Sequence, residues 1–152
     1  MLKPNSKIKN ASCKEFNNIQ FKSRLEVMCY KTLLQAGFKP DYEKIKFVLL
    51  RGFRPTVKFY TRDTKTGNLK INNKKIIDIT YTPDFTFEYN GILIVIEVKG
   101  FENDVFPLKK KLFRRYMEES LEDSPSYIYF EIFNKKQLLQ AIEVIKSISL
   151  NK

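Results

Sequence analysis

The sequence predicts a single α/β domain, a mixed central β-sheet flanked by α-helices. Three observations predict it. Two runs rich in Val, Ile, Phe, Tyr and Thr, 81–89 and 92–98, flank Asn90-Gly91, the dipeptide that tolerates the two positive φ angles of a type I′ hairpin turn. Helical periodicity follows Ser23, recurs after Phe106 and returns after Asn134, interleaved with strand-like runs. The chain has 152 residues, 43% of them hydrophobic, which suits one folded core.

Bulk charge narrows the function classes. Lys plus Arg number 28 against 17 acidic residues, a net charge of +11, which points to a polyanionic partner, most simply nucleic acid. No long apolar span, signal peptide or lipidation motif speaks for a membrane. The two cysteines, Cys13 and Cys29, make neither a disulfide scaffold nor a metal knuckle, so an intracellular, reducing setting is expected. Histidine is absent altogether, which removes His-dependent nucleases, Ser-His-Asp hydrolases and most zinc sites.

Taken in order, residues 1–20 are polar and basic, with Lys3, Lys7, Lys9 and Lys14, and read as a loosely ordered arm before a domain spanning 21–152. A helix is expected from Ser23 to about Ala36, with Leu25, Cys29, Leu33 and Ala36 on its apolar face and Gly37 closing it. Ser23 and Glu26 fit a capping box, in which Glu26 reaches back to the Ser23 amide. A carboxylate there can equally join a metal site; by the residues alone the cap prevails.

Residues 44–79 form a β-rich basic insert, read as strands over 45–50, 57–61 and 69–79 around a turn at Lys65-Thr66-Gly67-Asn68. Arg51, Arg54, Lys58, Arg62, Lys65, Lys70, Lys74 and Lys75 stud it, as a solvated hairpin or as a wall on backbone phosphates. After Gly100, Asn103 or Asp104 can cap a helix beginning near Phe106-Pro107. Its apolar face holds Leu108, Leu112, Phe113, Tyr116 and Met117, and Lys109, Lys110, Lys111, Arg114 and Arg115 fill the remainder, as a solvated face or as a surface for phosphates. A strand over 127–133 and a last amphipathic helix over 135–148, capped by Asn134, complete the domain. No internal repeat, phosphate-binding Gly loop or low-complexity tract occurs.

The chemistry concentrates at one end of the 81–98 hairpin. Asp84 follows Pro83 on the first arm, and Glu97 and Lys99 share a face at the end of the second, because strand side chains alternate. Apolar strands seldom carry two carboxylates and an ammonium together unless they do chemistry or meet a metal. Hydrolysis of a phosphodiester needs hard oxygen ligands for Mg²⁺ and a charge on the transition state. Asp84 and Glu97 could share the metal while Lys99 orients water or phosphate. The bland alternative is a solvated strand end.

Pro83-Asp84 followed by Glu97-Val98-Lys99 resembles the signature of the PD-(D/E)XK nuclease superfamily. Phe21 to Glu26, Gly37-Phe38, Asp41-Tyr42-Glu43, Tyr81 to Phe85 and Glu97 to Gly100 occur in the order found in phage endonuclease I type Holliday-junction resolvases. They are similar also to a family of small, mostly uncharacterised phage proteins. The likeness covers about 21–129. It implies a restriction-endonuclease-like core and an Mg²⁺-dependent endodeoxyribonuclease, with Mn²⁺ able to substitute, that cleaves branched DNA in phage recombination. In the family the helix-1 glutamate joins the metal site, so the resemblance makes Glu26, Asp84 and Glu97 ligands and, with Lys99, the catalytic set. Asp41 lies where the resolvases carry a further acidic residue.

Lys22, Arg24, Lys109, Lys110, Lys111, Arg114 and Arg115 are the expected DNA contacts, and no other cofactor is expected. The partners implied are DNA and a second copy of the chain in a homodimer; the setting is the host cytoplasm during infection, or the virion. The 44–79 insert is longer than in the resolvases, where this region contributes to a strand-exchanged dimer. Two alternatives stand beside the resolvase reading: a less selective nicking or DNA-degrading nuclease, and a non-catalytic DNA-binding or virion protein on the same fold.

Overall fold

The computed structural model describes residues 14–100, 105–120 and 126–149. Where a loose arm is expected to residue 20, the chain already forms a hairpin, β1 (Lys14–Phe16) and β2 (Ile19–Phe21). Its turn is Asn17-Asn18, with φ of 51° and 59°, a pairing that supports a tight antiparallel turn much as Asn-Gly does. Phe16 and Ile19 pack on the core, and Phe16 meets the Tyr30 ring edge-on at 6.2 Å. Local polarity hid this hairpin because only one side of it is apolar.

Helix α1 (Arg24–Gln35) starts at Ser23, whose hydroxyl accepts the Glu26 N–H. It ends in a Schellman motif: Gly37 at φ +92° donates to Leu34 and Phe38 to Leu33. Next come β3 (Asp41–Tyr42) and β4 (Phe47–Leu50), then β5 (Tyr60–Arg62), β6 (Leu69–Ile71) and β7 (Ile79–Tyr81). The hairpin β8 (Phe85–Tyr89) and β9 (Ile92–Val98) turns at Asn90 and Gly91, both at positive φ. It is followed by α2 (Phe106–Glu119), β10 (Ser126–Ile132) and α3 (Lys135–Lys146).

The central sheet has the order β10-β9-β8-β3. β9 and β10 run parallel, on either side of α2 in the chain, and the other pairs are antiparallel, so the sheet is mixed. Alternation along β9 divides the core. Ile94, Ile96 and Val98 join α1 and α3 in one cluster. Val95 and Leu93 join Phe47, Tyr81, Phe106 and Phe113 in another, under α2, β4 and β7. Helices therefore cover both faces, as an α/β domain requires.

The 44–79 insert departs from its expected strands. The single strand expected over 69–79 is broken into β6 and β7, because the Asn72 side chain accepts the Lys74 N–H and turns the backbone out of the ladder. The strand expected over 57–61 forms only at β5, where β6 lies opposite. The result is one long ribbon: β4 pairs with β7, Phe53 bridges Ile76, and β5 pairs with β6 around a turn held by Asp63. At α2, Val105 occupies the N-cap position with no side-chain hydrogen bond; Asn103 and Asp104, the expected caps, lie outside the described residues, as does Cys13.

Gly52 pins the ribbon to its root. A Cβ there would stand 2.3 Å from the Ile76 carbonyl oxygen, in the backbone of the facing strand. Gly52→Ala is therefore expected to lower stability by ~1–3 kcal/mol, the usual cost of overpacking. Denaturant unfolding reads this, with Gly100→Ala as control, since a Cβ at Gly100 meets nothing within 4 Å. Equal stability of the two variants would mean that the bridge is not closed in solution.

Candidate active site

The register of β8 on β9 places the two expected carboxylates. Phe85 pairs with Ile96, so one step further along the ladder Asp84 stands across from Glu97. The Val98 N–H donates to Asp84 Oδ2 at 2.7 Å, which fixes the carboxyl at the strand end. Lys99 continues the ladder toward β10 by donating to the Ile132 carbonyl at 2.9 Å. Its ammonium returns to Glu97 Oε1 at 2.5 Å and lies 3.8 Å from the centre of the Phe106 ring. Asp84, Glu97 and Lys99 thus meet in one cavity of about 650 Å³, which Glu26, Glu43, Lys22 and Lys109 also line.

Glu26 serves both of its readings. Its backbone N–H is capped by Ser23, yet its carboxylate does not reach the Ser23 amide as a capping box would have it. It accepts instead from the Ser23 hydroxyl at 2.8 Å, the Lys22 N–H at 3.0 Å and the Tyr42 hydroxyl at 2.6 Å. Glu26 and Glu97 are 6% and 4% exposed, so both carboxylates depend on such donors. For Glu97 the second donor is the Tyr81 hydroxyl, at 2.6 Å from Oε2.

Tyr42 and Tyr81, which hold the two buried carboxylates, carry no sign of those contacts in the sequence. An alternating strand pattern cannot show which hydroxyl will meet which carboxylate. Glu131 lines a separate hollow, with Lys110, Arg114 and Tyr129. It lies beside Glu97 in the parallel register and pairs with Lys110 at 3.0 Å. Parallel register is not readable from one strand, so the sequence carries no sign of that neighbour.

Burial and crowding set the electrostatics. Desolvation, then the charge of Glu97 and more weakly that of Glu26, push the Asp84 carboxyl up to about 8, against the Val98 N–H and Lys99, which pull it down. Burial likewise raises the Tyr81 and Tyr42 hydroxyls, so each stays a donor. It pushes the Cys29 thiol up to about 12, which leaves it inert in the core.

The other expected site residues divide. Lys22 lies at the cavity rim, ion-paired with Glu43. Asp41 pairs with Lys44 at 2.9 Å and lines a different hollow, with Lys39 and Lys146, so Glu43 and not Asp41 is the further acidic residue at the cavity. Helical geometry splits the basic run of α2. Lys109 faces the cavity, Lys110 is drawn to Glu131, Arg115 pairs with Glu119, and Lys111 and Arg114 are exposed; Arg24 is exposed on α1. Among the described residues no three acidic, cysteine or histidine side chains converge into a ready metal cage. What the geometry offers is a facing pair, Asp84 and Glu97, with Glu26 on the same cavity.

Residues 6–131 match the model of the family described as Protein of unknown function (DUF1064), and the chain belongs to that family. The match takes in every residue of the cavity and stops before α3. No curated protein and no solved structure matches the chain.

The raised Asp84 carboxyl has a consequence for stability. Its folded value lies above its unfolded one, so the folded protein holds a proton that the unfolded chain gives up. Metal-free protein should therefore lose stability as pH rises from about 4 to about 8. Asp84→Asn should flatten that slope and, in EDTA at pH 8, raise Tm by about 4 °C or more, since 1 kcal/mol moves a domain of this size ~2–4 °C. Thermal unfolding across that range checks it; a parallel slope in the variant would mean that Asp84 is not the strained carboxyl.

Proposed function

We propose that this member of the DUF1064 family is a divalent-metal-dependent DNA endonuclease built on a restriction-endonuclease-like core, acting on branched DNA. The observation that carries the reading is the meeting of Asp84, Glu97 and Lys99 in one cavity at the end of β8 and β9. A metal ion fits the donors present. They are all oxygens, which suits a hard cation, and Mg²⁺ asks for only one or two carboxylates because it keeps several waters. Asp84 and Glu97 would hold it, with Glu26 within the same cavity, and Mn²⁺ suits the same donors. The crowding that raises the Asp84 carboxyl is what a cation between the two side chains would relieve. When bound, such an ion polarises the scissile phosphate and makes a water more acidic.

The chain's own groups supply the remainder. Lys99, now against Glu97 and over the Phe106 ring, brings an ammonium that would turn to a phosphate oxygen or to the attacking water. In the hydrolysis the water oxygen would bond to phosphorus and give up a proton to solvent, the P–O bond to the leaving sugar oxygen would break, and that oxygen would take a proton from solvent. Tyr81 and Tyr42 hold Glu97 and Glu26 in fixed positions, so little reorganisation is needed. Lys22 and Lys109 at the rim, and Arg24, Lys111 and Arg114 beyond it, suit flanking phosphates. These groups read shape and charge, not base edges, which favours a branch over a sequence. Paired cuts on opposite strands need two such cavities, hence a homodimer. No described helix is long and apolar enough to cross a membrane.

Purified protein with Mg²⁺ or Mn²⁺ should cut a four-way junction in preference to a duplex of equal length and should be silent in EDTA. Asp84→Ala and Lys99→Ala should each lose at least about 10²-fold in rate, the scale on which single transition-state contacts matter, with DNA affinity nearly unchanged. Glu26→Gln leaves an amide oxygen for the Lys22 N–H and the Tyr42 hydroxyl and an NH2 that can donate to the Ser23 hydroxyl, and so should keep the melting temperature while losing activity. Variants that cleave like the unaltered protein would refute the site. Equal cutting of duplex and junction would leave a general nuclease, and binding without cutting under either metal would leave a DNA-binding protein.

A further inference from the structure

The ribbon between Arg51 and Ile77 stands apart from both apolar clusters. β5 and β6 form a two-stranded sheet of their own, and an isolated two-stranded ribbon is marginal in water. Aromatic rings are nonetheless placed in solvent along it: Phe53, Phe59 and Tyr60 are 53%, 58% and 55% exposed. In the paired part, Tyr60 faces Ile71 and Arg62 faces Leu69, so one surface carries a ring, aliphatic side chains and a guanidinium together. Exposed apolar surface of this kind marks a binding face.

Charge decides between occupants. The segment holds eight lysines and arginines and a single acidic residue, Asp63, a net +7 out of the chain's +11. Asp63 is itself occupied in the turn, by Lys70 at 2.8 Å and by the Lys65 and Thr66 N–H groups. Stacking this ribbon on that of a second copy would bring like charges together. A polyanion with flat apolar faces satisfies both halves of the surface, and single-stranded nucleic acid is that polymer: phosphates for the cations, bases for the rings. In a duplex the base faces are already stacked on one another and are not on offer. The ribbon also springs from β7, whose Thr80 and Tyr81 line the catalytic cavity, so a strand lying on it would lead to Asp84 and Glu97.

We propose that the 51–77 ribbon is a single-strand DNA platform around which unpaired bases stack on Phe53, on Tyr60 and, on the opposite face of the paired part, on Phe59, while its cations hold the backbone. The substrate meaning of this rests on the nuclease reading, since it adds unpaired DNA beside the cleaved phosphate to what the enzyme requires. The binding itself does not, and it is measured without turnover.

The test uses the full chain in EDTA, with fluorescence anisotropy of a labelled oligothymidylate and of a blunt duplex of the same length. Each stacked base is worth ~1–3 kcal/mol, so Phe59→Ala with Tyr60→Ala should weaken single-strand binding at least about tenfold. Duplex binding should fall by less than about threefold. Phe59→Leu with Tyr60→Leu keeps apolar bulk and removes the π faces, and should lose the same single-strand affinity. Arg54→Gln with Lys58→Gln should weaken both DNAs and flatten the salt dependence. Melting temperatures and mass by light scattering should match the unaltered chain in every case. Unchanged oligothymidylate binding in both aromatic variants would overturn the proposal. So would full retention by the leucine variant with loss of the dimer in the alanine variant, which would make the ribbon a self-association surface. Failure of the Asp84 variants to lose cleavage would count against the nuclease and leave these binding results standing.

Discussion

Everything at the site depends on the register between β8 and β9. The two-residue turn at Asn90 and Gly91 sets Phe85 against Ile96, and that pairing brings Asp84 opposite Glu97. A slip of one residue would turn β8 over, sending Asp84 toward the α1 cluster and Phe85 toward the cavity. The slip is opposed from both sides, because Phe85 and Phe87 are buried on one face of the strand while Thr86 is buried on the other. The apolar packing of the hairpin and the position of its charges are therefore one constraint, and the Val98 N–H bond to Asp84 locks the last step of it.

Placing carboxylates there has a cost that the surrounding residues share. Glu97 and Glu26 are nearly sealed from water, and each is held by a tyrosine hydroxyl whose own burial keeps it protonated. Lys99 neutralises Glu97, and one strand over Lys110 does the same for Glu131, so charge alternates across the sheet end. Among the described residues Asp84 receives a single N–H, that of Val98, and makes no ion pair, and its carboxyl is pushed up. On the proposed reading, fold stability and cation binding pull in opposite directions at that residue.

Much of this was legible in the residues and some was not, for identifiable reasons. The Asn90-Gly91 turn, the Ser23 cap and the Gly37 stop are local, and local chemistry is enough to find them. Asp84, Glu97 and Lys99 fall together because a hairpin of known turn length has only one register. Tyr81 and Tyr42 reach the site through β7 and β3, and Glu131 comes to lie beside Glu97 through the parallel strand β10; these neighbours are chosen by tertiary packing and leave no periodic trace. The β1–β2 hairpin looks like an arm in the sequence because its polar side outweighs Phe16 and Ile19 in any local average. The break after β6 turns on one side chain, Asn72, competing with the ladder for a backbone N–H.

The central claim is that Asp84 and Glu97 form a divalent-cation site. Calorimetric titration of the full chain with Mg²⁺ in the absence of DNA tests it most directly, alongside Asp84→Asn and the exposed control Asp41→Asn. The account predicts saturable binding by the unaltered chain and by the Asp41 variant, and its loss in the Asp84 variant. Binding that survives in Asp84→Asn, or that is absent from the unaltered chain with Mn²⁺ as well as Mg²⁺, would contradict it.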